Sequence, residues 1–270
     1  MDTINIGRKS LQLPSSWDDL STSDLEALAD LSSRQLPRMT LLTLFVLRLL
    51  DLRVTERQPD GTFTLQRLHH SARRDSLTLT AEEMHALAMT QSYILERKKE
   101  GKGWIVSSHL IGDPYPRFMH SPGAALDRLS YEEFMYALYY QQQLEEDNTK
   151  LSSLLACIWH RRKAFFPELI DRDARRIARL SWHRQQVMFW YWQGCLDFLK
   201  NRFPRIFQGE AKKGGNIFDE QLRVIDALAQ GDMTKKDAVR KGRLYDALYS
   251  MDEALRRQEE AEASLGEVKR

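Results

Sequence analysis

Between residues 111 and 125 the chain carries four glycine or proline interruptions: Gly112, Pro114, Pro116 and the pair Pro122-Gly123. Proline fixes φ and removes a backbone donor, so neither a helix nor a central strand is expected to run through this stretch. The hydrophobic period also changes across it. Earlier runs are short and often alternate, whereas later apolar residues recur every three or four positions. The 270 residues therefore read as an α+β N-terminal domain with hairpins over 1–111 and a Pro/Gly-rich connection over 112–123. A helical domain over 124–265 and a polar frayed tail over 266–270 follow. The expected class is mainly α (α+β): a small antiparallel β-hairpin sheet with helices in the N-terminal part, and a helical bundle in the C-terminal part.

In the first part, Ile4 and Ile6 answer Leu11 and Leu13 across Gly7, which predicts a hairpin ended by Pro14. Ser21 and Ser23 are N-cap candidates for a helix carrying Leu25, Leu28, Ala29 and Leu31. Pro37 stands near the start of the next. Its apolar positions, Leu41, Leu42, Leu44, Phe45, Val46, Leu49, Leu50 and Leu52, cover most of the circumference, so a buried helix is expected. Pro59-Asp60-Gly61 suits the turn of a second hairpin, and Leu77-Thr78-Leu79 reads as a third strand. Thr80 with Glu83 forms a capping-box pattern for a helix expected over 81–97, closed by Gly101 and Gly103. Trp104-Ile105-Val106 reads as another strand.

In the second part, Ser130 with Glu133 repeats the capping box and opens a helix to about Glu146. Further helices are expected over 148–160, from Pro167 onward, and over 184–202 up to Pro204. The last two are expected over 217–229 and 244–262, separated by Gly231 and a cap at Thr234.

Composition excludes several classes. A formal net charge of +2 is too small for a surface shaped as a whole for nucleic acid. The longest apolar candidate, Leu41 to Leu50, is broken by Thr43 and Arg48, so no membrane span is expected. The N-terminus lacks a basic stretch followed by an apolar run, so no secretory signal is expected. Cys157 and Cys195 lie far apart in apolar runs and read as buried hydrophobes of a reducing compartment.

Catalytic patterns are missing from the sequence: no P-loop, GxGxxG, GxSxG or HExxH occurs. The adjacent His69 and His70 would diverge on a strand, and with Arg67, Arg73 and Arg74 nearby they read as a solvated loop. His160 and His183 flank helices and read as structural. The neighbouring carboxylates Glu132-Glu133, Glu145-Glu146 and Glu259-Glu260 diverge by about 100° on a helix and read as solvated faces or caps. No metal, cofactor or catalytic residue is expected.

One stretch stands out. Between Arg161 and Lys213 thirteen Lys/Arg face five Asp/Glu, interleaved with Phe165, Phe166, Trp182, Trp190, Tyr191 and Trp192. Two readings are open. Cations and π-faces together suit a binding surface, for a protein or for single-stranded nucleic acid. Helical spacing instead favours Trp190, Trp192, Phe198 and Phe203 as core, with arginine stems lying over them. The residues expected to meet a partner are Trp190, Tyr191, Trp192, Arg202, Arg205, Lys212 and Lys213, with the loop 208–215.

Three strings carry a resemblance: Ile4 to Leu20, which contains Ile4, Ile6, Gly7, Leu13, Pro14 and Trp17; Phe198 to Phe207; and Leu228 to Val239, followed by Leu244 to Leu248 and an acidic tail. In these the chain resembles uncharacterised phage and prophage proteins of Bacteroides-type bacteria. It is loosely similar to tail assembly chaperones encoded beside the tape-measure protein. The resemblance implies a non-enzymatic role in virion assembly, as a chaperone or minor tail component binding a tape-measure or other tail protein. The expected location is the bacterial host cytoplasm or the virion. The alternatives are a nucleic-acid-binding protein using region 161–213 and an enzyme whose site is scattered in sequence.

Overall fold

The structure is a computed structural model that describes residues 1–6, 9–67, 76–97, 104–107, 109–114, 118–207 and 217–268. It is mainly α with small antiparallel sheets. The chain divides into two compact units, Met1–Ile111 and Gly112–Arg270.

The first unit opens with strands β1 (Asp2–Ile6) and β2 (Lys9–Leu13), paired from Asp2↔Leu13 to Ile6↔Lys9. The hairpin is thus the expected one, while its Gly7 turn lies outside the described residues. Ser21 caps α1 (Thr22–Ser33) through a capping box with Asp24, and Pro37 precedes α2 (Arg38–Leu49). Strands β3 (Leu52–Arg57), β4 (Phe63–Arg67) and β5 (Ser76–Leu79) form a meander. The β3–β4 turn closes because Asp60 accepts bonds from the Thr62 backbone N–H (2.9 Å) and hydroxyl (2.7 Å), and Gly61 takes φ 85°. Only glycine adopts such an angle without penalty. Leu13, Val46, Leu47, Leu52, Leu65, Leu77, Leu79, Met84 and Leu87 meet in one apolar cluster between the strands, α2 and α3 (Ala81–Thr90).

Two expectations are corrected here. Leu44 of α2 is 37% exposed, and Leu52 belongs to β3, so α2 is buried on one side rather than all round. The helix expected over 81–97 keeps its Thr80–Glu83 capping box but ends at Thr90. Leu95–Arg97 forms β6, paired with β7 (Trp104–Val106). Strand pairing there overrides helix-favouring Leu95, Glu96 and Arg97, because propensity amounts to only tenths of a kcal/mol per residue. The buried Gln91 marks the break, donating from Nε2 to the Pro14 carbonyl at 2.9 Å. The glycines 101 and 103 lie outside the described residues.

The second unit begins with the stretch read as a connection, and this stretch is fastened into the unit. Asp113 Oδ1 accepts from Trp159 Nε1 at 3.0 Å, and the His120 N–H donates to the His160 carbonyl at 2.9 Å. Gly123 at φ 81° accepts from the Tyr191 hydroxyl at its carbonyl. A Cβ at this position would lie 1.7 Å from Asp127 Oδ1. Gly123 therefore meets both a backbone and a space requirement.

At the centre lies α5 (Leu151–Ile158), in which Leu151 and Leu154 to Ile158 are buried. Packed against it are α4 (Tyr131–Leu144), α6 (Ile170–Ile177) and α7 (Trp182–Arg202). Pro204 ends α7 as expected and also begins α8 (Pro204–Phe207). Then come α9 (Ile217–Leu228), α10 (Met233–Lys241) and α11 (Leu244–Val268). The cap of α10 is Asp232, whose side chain accepts from the Thr234 N–H at 2.9 Å. A cap at Thr234 is thereby corrected: the carboxylate two residues earlier reaches the free N–H groups. Helix α11 continues through 266–268, part of the stretch read as frayed, while residues 269–270 lie outside the described residues. Among the described residues no helix is long and apolar enough to cross a membrane.

Candidate functional site

The expected partner-binding residues separate into three fates. Tyr191 and Trp192 are fully buried. The Tyr191 hydroxyl donates to the Gly123 carbonyl, and Trp192 Nε1 donates to Gln141 Oε1 at 2.8 Å. Trp190 is half-buried. The aromatic centre of α7 is therefore core, which corrects Tyr191 and Trp192 as contact residues. Their polar atoms find partners inside the unit, as buried Tyr and Trp require. Arg202 bonds the Tyr249 hydroxyl, and Arg205 pairs with Glu259 (3.0 Å) and Asp252 (3.5 Å), so both tie the end of α7 and α8 to α11. The hydrogen bond to Glu259 raises the Arg205 pKa above its ordinary value. Lys212, Lys213 and the loop 208–215 lie outside the described residues, as do His69 and His70.

The basic-aromatic character reappears one element earlier. In α6, Ile170, Asp173, Ala174 and Ile177 occupy i, i+3, i+4 and i+7 and form the buried face. Arg172, Arg175 and Arg176 repeat that spacing two positions on, which places them about 200° around the axis, on the opposite face, and Arg179 follows in the turn beyond the helix end. Arg175 and Arg179 are exposed, and Arg172 and Arg176 half-buried. Arg176 pairs with the buried Asp173. Among the described residues Arg161, Lys163, Arg172, Arg175 and Arg179 have no ion-pair partner.

Two exposed aromatic residues flank α6 in the chain. Phe166, just before α6, is 39% exposed, with the Arg162 guanidinium 5.6 Å from its ring centre. Trp182, first residue of α7, is 51% exposed. From Arg161 to Arg184 there are eight Lys/Arg and three Asp/Glu, so this segment holds most of the basic excess. Glu168 and Asp171 are exposed on the N-terminal side, which leaves the C-terminal turn with Arg175 and Arg179 the more positive end.

A second feature lies beneath. His160 Nε2 is hydrogen-bonded to Glu133 Oε1 at 2.5 Å, both side chains buried, and His160 Nδ1 is buried without a partner. The pair joins the first turn of α4 to the end of α5. A shallow depression open to solvent adjoins it and is lined by His160, Arg162, Phe165, Phe166 and Asp173, among others. Among the described residues no group of three or more His, Cys, Asp or Glu is placed to hold a metal ion.

The two cysteines are buried and free. Burial pushes the Cys195 thiol up to about 12, and burial followed by the nearby Glu133 charge pushes Cys157 well above the ordinary thiol value. At pH 8 a thiol near 12 is ionised to only about one part in 10⁴, so alkylation of the native chain is expected to be slow at both sites and rapid after denaturation. Mass-resolved iodoacetamide labelling checks this; native labelling at the rate of a free thiol would contradict the burial.

Compared with known protein families, curated proteins and solved structures, this chain has no match. Sequence reasoning counted the charge between 161 and 213 but passed over Phe166, Trp182 and the α6 arginines as the working set. The signal was present as the 172, 175, 176, 179 spacing, offset by two from the apolar 170, 174, 177 positions.

Proposed function

We propose that this chain is a non-enzymatic binding protein, and that the arginine face of α6 with the loop 161–166 and the start of α7 receives an anionic partner. The observation that carries this is the set of exposed cations without ion-pair partners, Arg161, Lys163, Arg175 and Arg179, in a segment that also exposes Phe166 and Trp182. Side chains of this kind on a solvated face gain more from an external anion than from the protein itself, because exposed charges interact weakly across water until a partner displaces it. The setting proposed is assembly in a phage or prophage, as a tail assembly chaperone or minor tail component in the bacterial cytoplasm or the virion. A tape-measure or other tail protein, the partner this setting implies, would have to present an acidic face here.

Retention on immobilised heparin tests the surface. The full chain is expected to be held at low salt and released as salt rises, and Arg175→Glu with Arg179→Glu to elute markedly earlier. An unretained wild-type chain, or an unchanged elution of the double variant, overturns the proposal. Pull-down from phage-infected cells tests the setting: a tail protein should co-purify with the wild-type chain and not with the double variant.

A further inference from the structure

We propose that the outer edge of β7 receives an extended segment of a partner protein in which acidic and apolar residues alternate. This surface belongs to the first unit and is separate from the arginine face of α6.

The backbone of β7 is open on one side. Among the described residues the strand pairs only with β6. The Ser107 N–H donates to the Ile94 carbonyl at 2.9 Å, one step beyond the Leu95↔Val106 pair. Opposed residues of an antiparallel ladder alternate between exchanging hydrogen bonds and lacking them. Ile105 therefore also faces β6, while the N–H and C=O groups of Trp104 and Val106 point to the outer edge. Such an edge is a template for another strand, and lysine or proline commonly guards it. The Trp-Ile-Val of β7 has neither. Successive strand residues point to opposite faces, and Trp104 is 44% and Ile105 43% exposed, so neither face is closed at the start of the strand.

The side chains select the segment that fits. Arg38, first residue of α2, holds its guanidinium 4.4 Å from the centre of the Trp104 ring, and its Nη1 approaches the Met89 sulfur at 3.9 Å. Thioether sulfur is a weak acceptor. Arg38 Nε is buried without a partner, and among the described residues no carboxylate pairs with this guanidinium. A guanidinium carries five N–H donors in a rigid fork, and stacking on the indole already restricts this one. It lacks only a carboxylate.

A strand added at the β7 edge sets a side chain about 5 Å from Trp104 on the same face. An aspartate or glutamate there meets Arg38. The next residue of the added strand lies on the Ile105 face, where a β-branched apolar side chain covers the exposed isoleucine. The two-residue period of a strand thus prescribes acid and apolar in alternation. A small anion would meet Arg38 but has no backbone to pair with Trp104 and Val106. A second copy of β7 supplies the backbone but no acid.

The experiment is fluorescence anisotropy of the full chain with a labelled decapeptide of alternating valine and glutamate, and with its valine–lysine counterpart. Both are also measured on the Arg175→Glu, Arg179→Glu double variant, in which the exposed α6 cations no longer contribute. The glutamate peptide should bind and the lysine peptide should not. Arg38→Glu should weaken binding at least tenfold, and glutamate in the first turn of a helix suits its dipole, so the fold is kept. Val106→Pro removes an outward N–H and spares the β6 ladder, as an edge strand allows, and should weaken binding about tenfold. Saturating peptide should slow hydrogen exchange over residues 104–107 of the unsubstituted strand, a readout independent of either variant.

Equal binding of the two peptides, indifference to Arg38→Glu, or unchanged exchange at β7 overturns the proposal and leaves the α6 reading standing. Binding that vanishes in the α6 double variant has the same consequence. A concentration-dependent dimer in sedimentation that Val106→Pro abolishes, with no peptide bound, assigns the edge to a second copy and overturns the proposal as well.

Discussion

Replacing Trp192 with alanine is expected to cost the second unit about 3–5 kcal/mol, the range for deleting a large buried aromatic. Trp192 is fully buried, its ring centre is 5.7 Å from that of Phe134 on α4, and its indole N–H donates to Gln141. The substitution removes the contacts with Phe134 and Gln141 and leaves a void that rigid helices refill only in part. A urea or guanidinium titration followed by far-UV circular dichroism reads the loss as a lowered midpoint. Trp182→Ala is the matched control, since Trp182 is half exposed and should change stability by less than about 1 kcal/mol. Equal effects of the two would contradict the division of the α7 aromatics into core and surface.

Removing Glu133 is expected to have the second largest effect. Its carboxylate performs two tasks at one buried position. Oε2 accepts from the Ser130 backbone N–H at 2.5 Å, which completes the capping box of α4, while Oε1 meets His160 Nε2 at 2.5 Å. Glu133→Ala loses a cap worth about 1 kcal/mol. It also strands a buried imidazole nitrogen, at about 1–3 kcal/mol. His160 cannot compensate through its other nitrogen, which is already buried without a partner. A loss of about 2–4 kcal/mol follows. Glu133→Gln keeps an acceptor for Ser130 and a polar group for His160, and should recover at least half. If Glu133→Gln is as damaging as Glu133→Ala, the carboxylate charge rather than the hydrogen bonds holds α4 to α5.

Glu133 also shows why part of the site was illegible in sequence. As the second half of a Ser-x-x-Glu pattern it is identified at once, because a capping box is a local device set by three-residue spacing. Its contact with His160, 27 positions away, has no local signature. The sequence reading of Glu132-Glu133 as a solvated face or cap was half right for that reason. His160 was read as structural, and the structure gives it a buried partner.

The α7 aromatics illustrate the same limit. Seven large aromatics over 182–203 do not settle which lie inside, since a helix bulky all round has no polar face to mark the outside. Neighbouring elements decided it: Gln141 and Phe134 of α4 claim Trp192, and Gly123 of the proline-rich stretch claims Tyr191. Arg202 and Arg205, free cations by composition, were taken up by Tyr249 and by Asp252 and Glu259 of α11, some fifty residues onward.

The proline- and glycine-punctuated stretch is where sequence and tertiary structure most clearly share the result. The sequence by itself led to the expectation that no regular element crosses 112–123, because proline and glycine act on the backbone within one or two residues, and the described residues of that stretch carry none. It also determined the mainly helical second part, the capping boxes at Thr80–Glu83 and Ser130–Glu133 and the hairpin turn at Asp60-Gly61, each a matter of near neighbours. Tertiary structure alone decided that residues 112–123 belong to the second unit, held by Trp159, His160 and Tyr191. It likewise decided that Trp192 lies in the core against α4, and that Arg202 and Arg205 are taken up by α11. In each case the deciding interaction joins residues far apart in the chain, and its free energy exceeds the small local preference that a sequence can display.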